Sequence, residues 1–249
     1  MSMRYEGGIL SATPPTVTTS SAQGMWTLSQ QAQYKQTGVW PDALAPTIGQ
    51  AYGGGFYAGK IAVGGGGVAT HYLIVAPKAT GEAIKTYGPP GITTGATSFI
   101  DGPANSASLA ALGTSYEAAT FCEGLTIGGY SDWYLPAVNE LVVLYYFLKP
   151  TTTANDTSAG SNANAVSPEP ISTNYTTGSP AQTSAGIGFR NGETNAFVSN
   201  ADSLPYRSST ENSVNNTMAW TQFFNSGQQV SNYGKQYSYY VRAVRRIPI

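Results

Sequence analysis

The sequence predicts an α+β protein with two helices and a twisted, mostly antiparallel sheet, preceded by an extended N-terminal arm. Two segments, 114–125 and 136–148, carry apolar residues at helical spacing. Segments rich in β-branched and aromatic residues lie on both sides of this pair and favour strands. Two consecutive helices flanked by strands are typical of an α+β domain. We expect residues 1–47 to form the arm and residues 48–249 to form the domain.

The N-terminal arm is expected to be extended, with one short helix. Proline and threonine within residues 13–20 favour strand-like or polyproline structure. Residues 25–35 predict a helix, which Trp26 and Trp40 bracket. We expect these tryptophans to dock on another subunit through residues 1–41. The alternative is that the helix packs on its own domain.

The first part of the domain contains two glycine runs. Residues 48–61 indicate a strand that approaches another backbone closely, and residues 71–77 indicate a buried strand that returns from a glycine tip. A phosphate-binding loop is the alternative for such glycines. Neither run has the Lys-Ser/Thr of a P-loop or the strand–glycine–helix order of a dinucleotide site, so we do not expect phosphate binding. Residues 86–113 are rich in Gly, Pro and Thr and are expected to form a long loop.

Two helices are expected to form the centre of the domain. The first begins with a capping box, in which Thr114 caps the helix and Glu117 reaches back to it. Its apolar face includes Cys122, which we interpret as a small core residue. A glycine turn and Trp133 come next. Pro136 is expected at the first position of the second helix, where its missing N–H would be unpaired in any case.

The C-terminal part of the chain is expected to alternate loops with short strands. Residues 151–167 are low in sequence complexity and predict an exposed loop. A hairpin through residues 225–227 is expected to join the last two strands. The strand predictions are 187–189, 196–198, 204–210, 218–224 and 239–245.

Composition and charge exclude several classes of protein. Charged residues make up only 10% of the chain, and a net charge of −1 gives no field that attracts nucleic acid or an anionic membrane. No apolar run is long enough to cross a bilayer, so we expect no membrane insertion. The N-terminus has no signal-peptide pattern, and one cysteine allows no internal disulfide. Low charge with abundant Tyr, Asn, Ser and Gly is typical of extracellular, cell-surface and virion proteins.

The residues offer little catalytic chemistry. His71 lacks a second His or a Cys to share a metal, and no Gly-x-Ser-x-Gly motif accompanies it. We therefore expect no metal, no cofactor and no enzyme activity. Asp132 and Glu140 are the only closely spaced acidic pair on an ordered element. We expect Glu140 to bind buried backbone or to pair with Arg242 or Arg245, and catalysis by the acidic pair is the alternative.

Four separated motifs resemble a known family. They are Gly-Gly-Tyr-Ser-Asp-Trp-Tyr-Leu-Pro-x-x-x-Glu-Leu at 128–141, and the segments 206–210, 219–220 and 241–245. In this order they resemble the C-terminal domain of the Lcl-type collagen-like adhesins, which is similar to the C-type-lectin-like and formylglycine-generating-enzyme-like fold. The likeness covers residues 48–249. Arg207 departs from the family, which usually has a second aromatic residue there.

The resemblance implies a binding module whose ligand surface lies in irregular loops near the C-terminal strands. Tyrosine combined with Asn, Ser and Gly is also the composition of antibody binding loops. Ten residues are expected to contact the ligand: Tyr206, Arg207, Asn212, Asn215, Asn216, Gln222, Asn225, Gln229, Asn232 and Tyr233. Solvated loop residues are the alternative at each position. Six residues are expected to anchor the fold: Trp133, Pro136, Glu140, Trp220, Arg242 and Arg245.

A second, shorter resemblance concerns the arm. Residues 7–15 and 24–41 look like the leader of structural proteins of marine tailed bacteriophages. Together the two resemblances lead to the hypothesis of a phage virion appendage, a tail fibre or tip, that binds a host surface glycan or protein during adsorption. The alternatives are an architectural capsid or tail decoration protein and a surface-polysaccharide-degrading enzyme. We expect a homo-oligomer, with a trimer as the first guess, because closed symmetric oligomers are the rule.

Overall fold

The computed structural model describes residues 27–30, 33, 46–64, 67–162, 173–184, 188–200 and 204–249. Contacts divide the chain into two units, Met1–Pro46 and Thr47–Ile249. In the first unit, residues 28–30 and 33 are helical. Trp26 and Trp40, the predicted docking residues, lie outside the described residues. Among the helices that the structure describes, none is both long and apolar enough to cross a membrane.

The second unit contains four helices and nine strands in its described part. Helices α1 to α4 are Lys78–Gly81, Gly102–Ala111, Glu117–Glu123 and Val138–Leu148. Strands β1 to β9 are Ala51–Tyr52, Gly55–Ile61, His71–Val75, Glu82–Thr86, Tyr206–Glu211, Met218–Gln222, Gln229–Gly234, Ser238–Arg242 and Val244–Pro248.

The strands form two sheets. Their orders are β1-β2-β3-β9 and β4-β8-β5-β6-β7, and every neighbouring pair is antiparallel except β5 and β8. The chain passes from the second sheet to the first at Ala243. There the Ala243 N–H donates to the Gly81 carbonyl, and the Ala243 carbonyl accepts from the Ala76 N–H, both at 2.9 Å. The α+β class with mostly antiparallel sheets is confirmed.

Helix α4 lies inside the domain. Nine of its 11 residues are buried, and the two others are Tyr146 and Phe147. A helix that is apolar on all sides belongs in a core. The core around it combines Leu73 and Ile61 of the first sheet with Tyr206 of the second. Helix α4 therefore lies between residues of both sheets, whereas the sequence predicted a central helix with a single sheet.

Two predictions about helix starts are wrong. The Thr114–Glu117 capping box does not form, because α3 begins at Glu117 itself and its carboxylate accepts the N–H and the hydroxyl of Thr86. Helix α4 begins at Val138 and not at Pro136. The carbonyl of Pro136 instead accepts the Ser209 N–H at 2.8 Å, which fixes the proline just before the helix.

Part of the predicted loop at 86–113 is helical. Helix α2 forms at 102–111 because Asp101 caps it, accepting the Ala104 N–H at 3.3 Å. Its buried face includes Asn105 and Ser106, so the sequence has little apolar periodicity to indicate a helix.

Several predictions in the C-terminal part are also corrected. Residues 188–189 and 196–198 are not in strands, and β4 and β7 were not predicted. The turn at 225–227 joins β6 to β7, whereas the last two strands meet at Ala243. Residues 151–162 do not form a simple exposed loop. The buried Asn155 ties them down, since its Oδ1 accepts from Lys149 Nζ and from the Tyr145 hydroxyl, both at 2.7 Å.

Candidate binding cleft

Trp220 occupies an irregular point in the second sheet. Three residues of β5, Ser208–Thr210, lie opposite Trp220 alone, because the flanking pairs are Arg207 with Thr221 and Glu211 with Ala219. The neighbouring strand β7 also changes register beside Trp220. Extra residues of this kind bend a strand and redirect its side chains, and they are common next to functional sites.

The extra residues of β5 attach this point of the sheet to the start of α4. Ser208 Oγ donates to the Trp220 carbonyl at 3.0 Å. Thr210 Oγ1 accepts the Val138 N–H at 3.1 Å and donates to the Ser98 carbonyl at 2.9 Å. Their hydroxyl groups thus replace the ladder hydrogen bonds that a regular strand would make, which explains why Ser and Thr occupy these buried positions.

Phe99 packs against Trp220 near the start of α4. The Phe99 carbonyl accepts the Asn139 N–H of α4 at 3.0 Å. The rings of Phe99 and Trp220 have centroids 5.4 Å apart and planes inclined by 66°, which is an edge-type aromatic contact. Both side chains are only partly buried. The result is an accessible aromatic pair fixed by backbone hydrogen bonds.

This pair forms one side of a cleft of about 570 Å³. We call it the aromatic–amide cleft. The residues that line it are Phe99, Asn139, Ser158, Ala159, Ser161, Trp220 and Gln229. Within the described part of the chain, none of the lining side chains is charged. An aromatic surface that faces neutral amide and hydroxyl groups can stack a flat apolar face and bind hydroxyl or amide groups at the same time.

The polar wall of the cleft is held by its own hydrogen bonds. Gln229 begins β7, and its Oε1 accepts the Gly160 N–H at 3.2 Å. Its side-chain NH₂ makes no hydrogen bond with the described residues. Asn139 Nδ2 donates to Asn162 Oδ1 at 2.6 Å, and Asp156 Oδ1 accepts the N–H and hydroxyl of Ser158. The wall therefore has a defined shape, and the Gln229 NH₂ is a donor with no partner in the described part of the chain.

Gly160 sets the position of this wall, and its substitution is expected to be costly. Its φ is +95°, and an added Cβ would approach the Tyr175 ring to 2.4 Å. Gly192 is a matched control, because it has a φ of +88° and open space around it. We expect Gly160→Ala to lower the free energy of unfolding by about 1–3 kcal/mol more than Gly192→Ala, since the crowding adds to the same backbone strain. Denaturant titration measures both, and equal losses would contradict the assigned packing.

Only one of the ten predicted ligand contacts, Gln229, lines the aromatic–amide cleft. Tyr206, Arg207 and Gln222 are fully buried, so a ligand on the surface does not reach them. The Tyr206 hydroxyl donates to Glu82 Oε2 at 2.7 Å. Arg207 donates to the carbonyls of Ala219, Tyr233, Gly234 and Tyr237, and burial lowers its pKa to about 10.

Three other predicted contacts form a separate turn. Asn212 Oδ1 accepts the N–H groups of Val214 and Asn215, and Asn216 Nδ2 donates to the Gly91 carbonyl at 3.1 Å. The turn lines a depression of about 290 Å³. Most of its amide groups are used to hold the turn. The remaining three predicted ligand contacts lie elsewhere. Asn225 is half-buried, Asn232 is exposed, and Tyr233 is half-buried and packs on Phe223 and Tyr239.

The turn is supported by a buried ion pair. Lys235 Nζ lies 2.8 Å from Glu211 Oε1 and donates to the Ile92 carbonyl at 2.8 Å. Glu211 Oε2 accepts the N–H and the hydroxyl of Thr94. The pair thereby fastens the loop at 91–97 to the end of β5.

Replacing Glu211 with glutamine is expected to make the free energy of unfolding depend less on pH in the acid range. Burial pushes the pKa of Glu211 upward, but hydrogen bonds from Lys235 and Thr94 outweigh it and hold this pKa below its usual value. The carboxylate therefore contributes its full stability above about pH 4.3, and the contribution is lost as the pH falls through the folded-state pKa. Denaturant titrations at several acid pH values measure the slope of the free energy of unfolding against pH. Glu123→Gln, the same change outside the pair, is the control, and an unchanged slope in Glu211→Gln would contradict the expectation.

The predicted anchor residues take the following places. Trp133 is fully buried and donates its Nε1–H to the Tyr130 carbonyl at 3.0 Å, and Pro136 is also buried. Arg242 pairs with Glu82 at 3.0 Å in the interior. Trp220 is half-buried and lies in the cleft, so it serves as more than a core anchor.

Glu140 binds a partner that was not predicted. It is fully buried, and its Oε2 accepts the Ala137 N–H at 2.8 Å, as a helix-capping carboxylate does. Its Oε1 accepts from the Tyr134 hydroxyl and from Arg246 Nε. The expected backbone bond is therefore present, but the pairing with Arg242 or Arg245 is wrong.

The candidate catalytic and metal-binding residues are either bound by neighbouring side chains or buried. Asp132 accepts a two-point contact from Arg245, at 2.7 and 2.9 Å. His71 lies beside the Thr70 hydroxyl at 3.0 Å. Cys122 is buried, which raises the pKa of its thiol. Among the described residues, no group of three His, Cys, Asp or Glu side chains could hold a metal ion.

The family model of the Lcl C-terminal domain matches residues 94–245. This range contains all the residues that line the aromatic–amide cleft. No curated protein and no solved structure matches the chain. The family model spans more than half of the chain, and we conclude that the protein belongs to the Lcl C-terminal domain family.

Proposed function

We propose that the protein is an adhesin-like binding module and that the aromatic–amide cleft is its recognition surface. Membership of the Lcl C-terminal domain family supports the adhesin-like role. The single observation that carries the choice of surface is the accessible pair of Phe99 and Trp220, which lines the cleft together with neutral hydrogen-bonding groups.

The two aromatic residues of this surface are preorganised for binding. Backbone hydrogen bonds hold Phe99 and Trp220, so stacking on them costs little conformational entropy. Rigid aromatic rings next to adaptable amides are also the chemistry of antibody binding sites. The volume of about 570 Å³ falls in the range of small-molecule pockets.

We further propose that the module acts on a virion. The low-charge composition and the resemblance of residues 7–15 and 24–41 to phage structural leaders support a tail fibre or tip. The domain then binds a host surface glycan or protein during adsorption. Residues 1–41 attach the protein to other virion subunits, and the appendage is a homo-oligomer, for which a trimer is the first state to test.

A non-catalytic role is part of the proposal. Hydrolysis of a surface polysaccharide would require a free acid and a free base or nucleophile within one site. Asp132 is bound by Arg245, and Glu140 is fully buried against Arg246. Both carboxylates thus have structural partners that a catalytic pair would have to give up.

Competition with particle adsorption tests the proposed function. Purified full-length protein is added to host cells before the phage, and adsorbed particles are counted across a titration of the protein. We expect blocking that increases with protein concentration. Folded protein that binds no cells and blocks no adsorption would contradict receptor recognition and favour an architectural role. In that case, loss of incorporation into particles after deletion of residues 1–41 would identify the arm as the functional part.

A further inference from the structure

We infer that the aromatic–amide cleft takes an uncharged saccharide. This inference rests on the proposed function, because it names the ligand class of the same site. Three features of the cleft carry it: the charge of its lining, the arrangement of its two aromatic rings and the free donors of its polar wall.

The lining disfavours an anionic ligand. A carboxylate, sulfate or phosphate that leaves water needs a cation or several convergent donors to offset its lost hydration. Within the described residues, the cleft is lined by no Lys, Arg or His. The one charged side chain of the wall segment 155–162 is the acidic Asp156, which would repel an anion. A neutral ligand avoids both costs.

The aromatic side suits the C–H face of a sugar ring. A pyranose has one face covered by C–H groups, and that face packs on an aromatic ring as other apolar surface does. Phe99 and Trp220 are inclined by 66°, so they present two surfaces in different directions. A saccharide can contact both rings while its edge hydroxyls bind the amide and hydroxyl groups that line the same cleft.

The polar wall suits hydroxyl groups. Among the described residues, the side-chain NH₂ of Gln229 has no partner, because only its Oε1 is used, in the bond from the Gly160 N–H. Ser161 is exposed in the same cleft, and so is Ser158, whose hydroxyl donates to Asp156 Oδ1 at 2.6 Å and can still accept. Amide and hydroxyl groups both donate and accept, which is the requirement for binding sugar hydroxyls. A site built to bind hydroxyls rejects analogues that lack them, so this wall also provides specificity.

A peptide is the alternative ligand, and the contacts favour it less. Peptides that add to a protein usually pair with a free sheet edge or insert an apolar side chain into a groove. The aromatic–amide cleft mixes two aromatic rings with amide and hydroxyl groups, so it is not an apolar groove. Strand β7 lies at the edge of its sheet, but only its first residue, Gln229, lines the cleft. We therefore treat peptide binding as an outcome of the test.

Competition with fractionated envelope polysaccharide tests the inference. The full-length chain is bound to host cells, and the host's envelope polysaccharides are separated by anion exchange into a neutral and an acidic fraction. Each fraction is then added as a competitor. We expect the neutral fraction to displace the protein at concentrations at least tenfold lower than the acidic fraction. Periodate oxidation of the cells, which cleaves vicinal diols, is expected to abolish binding.

Two variants assign the effect to the cleft. Trp220→Ala removes an aromatic side, whereas Tyr237→Ala removes an exposed ring, 59% accessible, that does not line the cleft. We expect the neutral fraction to bind Tyr237→Ala like the wild type and to bind Trp220→Ala at least tenfold more weakly.

The outcomes separate the two proposals. Stronger competition by the acidic fraction, or binding that resists periodate and is lost after protease treatment of the cells, would overturn the saccharide inference and leave the binding function intact. Folded protein that binds no cells would instead overturn the proposed function itself.

Discussion

Glu140→Ala is expected to lower the free energy of unfolding by about 3–5 kcal/mol, the usual cost of breaking a buried ion pair from one side. The change leaves three groups without their partner: the Arg246 guanidinium, the Tyr134 hydroxyl and the Ala137 N–H. All three face a carboxylate with no exposed surface. Arg246 then keeps a longer contact with Asp101, at 3.7 Å, its bond to the Ile100 carbonyl and its position over the Tyr134 ring. Denaturant titration of the purified chain measures the loss.

Glu140→Gln is the control, because it keeps the shape and the acceptor oxygen but removes the charge. We expect a smaller loss than for Glu140→Ala, since the helix-capping bond to Ala137 can persist. A Glu140→Ala variant that is as stable as the wild type but lacks a polysaccharide-degrading activity would contradict the structural role and would support the enzyme hypothesis.

Trp220→Ala is expected to weaken binding to host cells by at least about 30-fold, which corresponds to about 2 kcal/mol at a typical binding hot spot. Trp220 and Phe99 are the aromatic residues among those that line the cleft, and the Trp220 carbonyl is held by the Ser208 hydroxyl. Because the side chain is only half-buried, its removal should cost less stability than removal of the fully buried Trp133. Cell-binding titrations and denaturant titrations on the same preparations separate the two effects.

Tyr237→Ala is the matched control for this change, because it also truncates an exposed aromatic ring but outside the cleft. We expect it to bind cells like the wild type. Equal losses in the two variants would indicate a general surface effect, and full binding by a folded Trp220→Ala variant would exclude the aromatic–amide cleft as the recognition surface.

The sequence predicts the helical centre of the fold well because the relevant signals are local. The apolar positions of 138–148 and the preceding Trp133 are close together in the chain, and they are buried together. Helix α2 lacked such a signal, since its buried face includes Asn105 and Ser106, which satisfy hydrogen bonds instead of burying apolar surface.

The partner of Glu140 could not be predicted because the segment 239–245, predicted as one strand, is divided between β8 and β9. Alternation of side chains along 239–245 assumes a single sheet. The chain instead leaves one sheet after Arg242 and enters the other at Val244. Arg246 in the first sheet therefore reaches Glu140, while Arg242 in the second sheet pairs with Glu82.

The cleft was only partly predictable for a related reason. Its aromatic pair joins a loop residue, Phe99, to a strand residue, Trp220, and only the tertiary fold brings them together. Tyr206 and Arg207 were expected at the surface because they are polar or amphipathic. They are buried because β5 lies in the middle of its sheet, where the Glu82 carboxylate accepts from Tyr206 and backbone carbonyls accept from the terminal nitrogens of Arg207.

Hydroxyl-radical footprinting tests directly whether the aromatic–amide cleft is the recognition surface. The full-length protein is oxidised briefly, alone and bound to host envelope fragments, and the modification of each aromatic residue is read by mass spectrometry. We expect protection of Phe99 and Trp220 on binding, with Tyr237 and Tyr130 modified to the same extent in both samples. Protection confined to residues outside the cleft, with Phe99 and Trp220 unchanged, would contradict this expectation.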